Sequence, residues 1–152
     1  MKKTMRRFTI RAADLTCDAG FRPDSGPAAR RDDAIQYRAE AHDRIAGRFI
    51  FYGPYIHLEP GVYLLTFEGQ LDGPLILDFA CSGGKTRLKT LTIGNFADPV
   101  CLVLTQPAPQ FEVRGATTAS LQSMRLESIS VDFLPLAAEV VATRPDLAPS
   151  RS

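Results

Sequence analysis

Residues 49–70 read FIFYGPYIHLEPGVYLLTFEGQ, two short apolar β segments joined at Glu59-Pro60-Gly61-Val62. Pro at the second position and Gly at the third is the chemistry of a type II turn. Proline pre-sets φ near −65° and glycine accepts the positive φ that follows. The run therefore predicts a hairpin. In Tyr63-Leu64-Leu65-Thr66-Phe67-Glu68 the set Tyr63, Leu65 and Phe67 shares one face, the two-residue period of a half-buried strand.

Outward from this run the same texture continues. Phe49–Phe51, Tyr55–Leu58, Val62–Glu68, Leu75–Cys81, Thr86–Ile93, Val100–Thr105, Gln110–Arg114 and Ser120–Phe133 read as strands. Gly, Pro, Asn and Asp clusters separate them, as in a sandwich or barrel. In Leu75–Cys81 the set Leu75, Leu77, Phe79 and Cys81 points inward, and Asp78 interrupts the opposite face. The last long run changes phase. Met124 and Leu126 share one parity, and Ile129, Val131 and Phe133 the other, so one extra residue near Glu127 or Ser128 is expected to bulge.

Phe8–Arg11 reads as a first strand. Asp18 to Asp33 is polar and loop-like, with Arg30-Arg31-Asp32-Asp33 balanced in sign and solvated. Ala34–Tyr37 reads as a strand joining the sheet, the alternative being a short charged helix over Asp32–Arg44. Residues 1–134 form one domain and 135–152 a flexible tail, in which Leu136–Thr143 has the composition for two helical turns. The fold class expected is all-β, an antiparallel jelly-roll-like sandwich of about eight strands.

Composition narrows function by exclusion. The 152 residues carry a net charge of +1 with both signs interspersed, unlike the basic footprint of a nucleic-acid binder. Lys2, Lys3, Arg6 and Arg7 are not followed by the apolar core of a signal peptide, and no apolar run reaches the ~18–20 residues of a membrane span. A cytoplasmic location is the expectation. Cys17, Cys81 and Cys101 then read as free thiols; a Cys81–Cys101 bridge stays open for an exported chain. Cys81, in phase with Leu77 and Phe79, is expected to be buried and inert.

The segment Gly53-Pro54-Tyr55-Ile56-His57-Leu58-Glu59-Pro60-Gly61-Val62-Tyr63, with the strand order after it, resembles jelly-roll modules grouped with carbohydrate-binding modules and galactose-binding-like domains, of the kind associated with bacterial glycosyltransferases. The resemblance spans about residues 8–133 and implies a sandwich fold and a glycan ligand. Calcium-binding members place carboxylates in the first strand, where this chain has Thr9, Arg11 and Ala13. Calcium needs six to eight oxygens, so no metal is expected, and no other cofactor.

Sugar recognition needs flat apolar faces to stack on and planar polar groups for hydroxyls. Tyr52 and Tyr55, flanking Gly53-Pro54, supply the first; the blander reading makes Tyr55 a cap on the core edge. Arg87 and Asn95, with Asp72 and Gln70, supply the second. His57 shares the face of Tyr55, and with only His42 beside it in the chain a metal site is not expected. Ser82-Gly83-Gly84-Lys85-Thr86 contains G-K-T but lacks the first glycine of a phosphate loop, so it reads as a hairpin turn. The ligand-binding candidates are Tyr52, Tyr55, His57, Arg87 and Asn95, with no catalytic residue. The function expected is a non-catalytic carbohydrate-binding module accessory to polysaccharide or glycoconjugate assembly. It would hold a glycan or sugar donor, or dock a glycosyltransferase. The rival is a protein-interaction sandwich whose tail from Leu136 docks; a cupin-like enzyme lacks the ligands for a metal triad.

Overall fold

The computed structural model describes residues 5–17, 28–31, 33–39 and 46–136. The expected helical turns in Leu136–Thr143 and most of the Asp18–Asp33 loop lie outside these residues. The described residues form twelve strands: β1 (Arg6–Arg11), β2 (Thr16–Cys17), β3 (Ala28–Arg31), β4 (Ala34–Arg38), β5 (Phe49–Tyr52), β6 (Pro54–Leu58), β7 (Gly61–Asp72), β8 (Leu75–Cys81), β9 (Thr86–Ile93), β10 (Val100–Leu104), β11 (Ala108–Ala116) and β12 (Ser123–Pro135). Ala34–Tyr37 is a strand, as favoured. Ala28–Arg31 corrects the loop expectation for its neighbourhood, since it pairs with β4.

All pairings are antiparallel and form two sheets. The first runs β10-β7-β12-β4-β3, with β1 continuing β4's place along β12; the second runs β2-β5-β11-β8-β9, with β6 continuing β5's place along β11. After the β3–β4 pair the chain crosses between sheets at almost every step, and among the described strands that follow β4 only β8 and β9 are neighbours both in sequence and in a sheet. This is the jelly-roll order, with eight strand positions; β1, β2, β3 and the division of β5 from β6 raise the count above the eight expected.

That order corrects the reading of Glu59-Pro60-Gly61-Val62. It is no hairpin, because β6 pairs β11 in one sheet and β7 pairs β10 and β12 in the other. Nor is it a type II turn, because Gly61 does not take a positive φ. Gly61 is required for a different reason: a Cβ there would lie 2.8 Å from the Leu134 carbonyl oxygen. Proline stops the ladder and the chain arches from one sheet to the other. The Tyr63 hydroxyl donates to the Glu59 carbonyl and holds the arch.

The core lies between the sheets. Tyr63, Leu65 and Phe67 face Leu75, Leu77 and Phe79, all at most 2% exposed, each contributing on the order of 2 kcal/mol by leaving water. The β12 bulge is where the parity change placed it. Leu126 pairs Gly69 and Ser128 pairs Glu68, so Glu127 is the extra residue. Met124, Leu126, Ile129 and Val131 all turn inward as a result. Cys81 points into the core from β8 whereas Cys101 is exposed on β10, and the two are not bridged.

Candidate functional site

The outer face of the second sheet carries charge where a sandwich normally carries solvated polar groups. In register across β11, β8 and β9 run Arg114, Asp78 and Thr90, and beside them Glu112, Ala80 and Arg87. Asp78 and Glu112 are buried. A buried carboxylate is costly unless paired and hydrogen-bonded, and here both are. Asp78 takes the Arg114 Nη2 ion pair on Oδ2, and on Oδ1 the Thr90 hydroxyl at 2.9 Å and Arg87 Nε at 3.2 Å. Glu112 takes Arg114 Nη1 at 3.4 Å. The Arg114 guanidinium also sits 5.0 Å from the centroid of the Phe49 ring, a cation–π contact.

Tyr55 closes this cluster from β6. Its hydroxyl hydrogen-bonds the Glu112 carboxylate, and its pKa is pushed up to about 12, first by desolvation and then by the Glu112 bond and charge. The ring remains 45% exposed. Its placement comes from the break between β5 and β6. Gly53 at φ +114 and the cis Gly53–Pro54 bond interrupt the strand, and Tyr55 follows at φ +64. The Gly53 carbonyl accepts from Val113 N–H at 2.8 Å and keeps the break fixed to β11. A bulky side chain in the left-handed region costs about 1–3 kcal/mol and persists only where its surroundings enforce it.

The Ser82–Lys85 turn forms another wall. It is the β8–β9 hairpin turn expected. Gly84, at φ +86, is placed so that a Cβ would sit 3.3 Å from Glu112 Oε1 and 3.4 Å from Arg114 Nη1. The arrangement thus joins an exposed, rigidly held aromatic ring to a floor of fixed charges and hydroxyls.

Of the residues expected from sequence, Tyr52 and Tyr55 lie together, and Arg87 joins the far side of the same charged row through Asp78. Tyr52 is half-buried and lies within electrostatic reach of Tyr55. His57 shares their face but engages Glu59 at 2.9 Å. Asn95 is elsewhere. Its Oδ1 accepts from Ala97 N–H at 2.8 Å in the β9–β10 connection, beside a cleft of about 440 Å³ that also involves Lys89, Asp98 and Cys101. Gln70 and Asp72 belong to β7 in the other sheet. Among the described residues no group of three or more His, Cys, Asp or Glu is placed to hold a metal.

Sequence reasoning missed Glu112, Arg114, Thr90 and Phe49 as members of the site, and it gave Asp78 no part beyond interrupting the outer face of its strand. The available signal was the pair Glu112 and Arg114, out of phase with inward Phe111 and Val113. Only register shows that they meet Asp78.

No protein-family model matches the chain, and no curated protein matches it. Two solved structures resemble it. One is the Glycosylation Associate Protein (Gap123) complex from Streptococcus agalactiae, at 10% identity and TM-score 0.56, covering 84% of this chain and 25% of that one. The protein thus spans a quarter of that chain's length, and the likeness is one of fold. The other, from Bacillus endospore appendages described as disulfide-linked pili, has 12% identity and TM-score 0.36, covering 90% of this chain and 93% of that one.

Proposed function

We propose that the protein is a non-catalytic carbohydrate-binding module that uses the outer face of the β2-β5-β11-β8-β9 sheet. The observation that carries this reading is Tyr55: an exposed ring held at φ +64, with its polar edge anchored to Glu112. A sugar stacks its C–H face on that ring, while Arg87, Thr90 and the Tyr52 edge meet its hydroxyls. Carboxylates already committed to Arg114 act here as a scaffold, and a partner supplies any chemistry. Accessory work in polysaccharide or glycoconjugate assembly in the cytoplasm fits free thiols. It also fits the glycosylation setting named for the similarly folded streptococcal complex. Titrating the protein with glycans and nucleotide sugars while recording amide shifts tests it. Shifts should gather at Tyr52, Tyr55, Arg87, Thr90 and Arg114, and silence toward every sugar would remove the proposal.

A second reading has its own observation, on the opposite sheet. Register places Cys101 and Val103 of β10, Val62 and Leu64 of β7 and Leu134 of β12 side by side on the outer face. Val103 is 50% exposed. A contiguous apolar patch of this kind suits a protein partner, such as the glycosyltransferase itself. A concentration-dependent mass abolished by Val103→Lys would support assembly; a monomer at all concentrations that also ignores a candidate glycosyltransferase would count against it.

A further inference from the structure

Resting on the carbohydrate reading above, we propose that the preferred ligand is an acidic sugar whose carboxylate is received by Arg87. The guanidinium of Arg87 is two-thirds exposed, at 67%, yet one edge is fixed because Nε lies 3.2 Å from Asp78 Oδ1. That ion pair draws the side chain toward Asp78, and among the described residues no hydrogen bond engages its two Nη groups. Such a fork matches a carboxylate in two parallel hydrogen bonds, and fixing it beforehand reduces the freedom lost on binding.

The surrounding charge admits an anion. Asp78 is paired with Arg114 and Arg87, and Glu112 with Arg114. Glu59, just beyond β6, lies 2.9 Å from His57 Nε2. Lys85, in the turn that walls the site, is exposed. Arg87, Arg114 and Lys85 thus match Asp78, Glu112 and Glu59 in number, and of these cations Arg87 presents an exposed guanidinium to the face.

Geometry links this anchor to the ring. Pro54, Glu112, Ala80 and Arg87 are successive partners across β6, β11, β8 and β9, so three strand spacings, about 14 Å, separate the β6 and β9 backbones. Tyr55 and Arg87 reach inward from the two ends of that row, over the small side chain of Ala80. A sugar ring on Tyr55 therefore directs a substituent toward Arg87.

The test pairs methyl hexopyranosides with their C6-oxidised methyl hexuronides, in galacto and gluco configuration, plus the 6-sulfo sugars, titrated against the full chain by NMR. The hexuronides should bind about five- to tenfold more tightly than the neutral sugars at low salt, with the preference shrinking as salt rises. Arg87→Met should erase it and Arg87→Lys restore part of it, both variants staying folded because Arg114 and Thr90 still engage Asp78. Equal affinity for neutral and oxidised sugars would overturn the acidic-sugar assignment and leave stacking at Tyr55 standing. A preference that survives Arg87→Met, or sulfo sugars binding as well as hexuronides, would overturn carboxylate recognition by this residue. Binding of none of these sugars would overturn the carbohydrate reading itself.

Discussion

Arg114 and Asp78 are cross-strand partners on β11 and β8, and their side chains form an ion pair with Asp78 only 5% exposed. Few positions on the outer face of a sandwich bury charge this way. The same guanidinium also serves Glu112 and covers Phe49, so one arginine links both buried carboxylates of the candidate site.

Removing that arginine should cost more than the pair itself contributes. Arg114→Met leaves two carboxylates buried without their main counter-charge, and breaking a buried pair on one side typically costs about 3–5 kcal/mol. Replacing both partners, Arg114→Met with Asp78→Leu, removes much of the uncompensated charge and should recover stability relative to the single variant. Urea denaturation of the three proteins checks this; a double variant weaker than the single would show that Asp78 is held by Thr90 and Arg87 without needing Arg114.

Tyr55 sets stability against recognition. At φ +64 a β-carbon is penalised by about 1–2 kcal/mol and glycine is not. Tyr55→Gly should therefore be more stable than Tyr55→Ala by about 1 kcal/mol, although both lose the ring. Both should also lose glycan-induced amide shifts at Arg87 and Thr90, whereas Tyr55→Phe keeps the stacking face and part of the response. Equal denaturation midpoints for the Gly and Ala variants would mean the backbone is unstrained there.

Gly69 and Glu127 make one device. Gly69 has φ +146, and a Cβ on it would fall 1.9 Å from the carbonyl oxygen of Arg125, two residues before the extra residue of β12. Gly69→Ala should destabilise by more than ~2 kcal/mol, because backbone must move. Deleting Glu127 should be worse, since a one-residue slip exposes either Met124 and Leu126 or Ile129 and Val131. Calorimetry that finds the deletion as stable as the parent would contradict this account of the bulge.

The bulge was legible because it leaves a parity change in the chain, and Leu75–Cys81 was legible because alternation with firm ends fixes a strand and its buried face. Glu59-Pro60-Gly61 misled for a physical reason. Pro-Gly marks a place where pairing stops, but the choice between a hairpin and an arch to the other sheet is made by partners far away, here β11 for one side and β10 and β12 for the other. The site divided in the same way. Tyr52 and Tyr55 could be found beside their Gly-Pro break, and Arg87 by its type. Asp78, Glu112 and Arg114 acquire a role only through a register that joins residues 36 apart. Asn95 had the right chemistry and is spent on its own loop.

The arch gives a pH signature. The Tyr63 hydroxyl is enclosed at the sheet crossing, where it donates to the Glu59 carbonyl, and its pKa is raised from 10 to about 12, first by burial and then by the Glu59 charge. An acid with a raised folded-state pKa contributes its stability in full below the unfolded value, and loses it as pH climbs through the folded one. The unfolded chain releases that proton from about pH 10 while the folded chain holds it until about pH 12. The melting temperature should therefore fall across this window. Tyr63→Phe loses the arch hydrogen bond and so melts lower at pH 7, by roughly the equivalent of 1 kcal/mol. It has no proton to release, so its deficit should narrow as pH rises from 10 to 12. Melting curves of the two proteins across that range make the comparison, in which lysine titration and Tyr55 are common to both. A deficit that stays constant would show that Tyr63 ionises alike in the folded and unfolded chains.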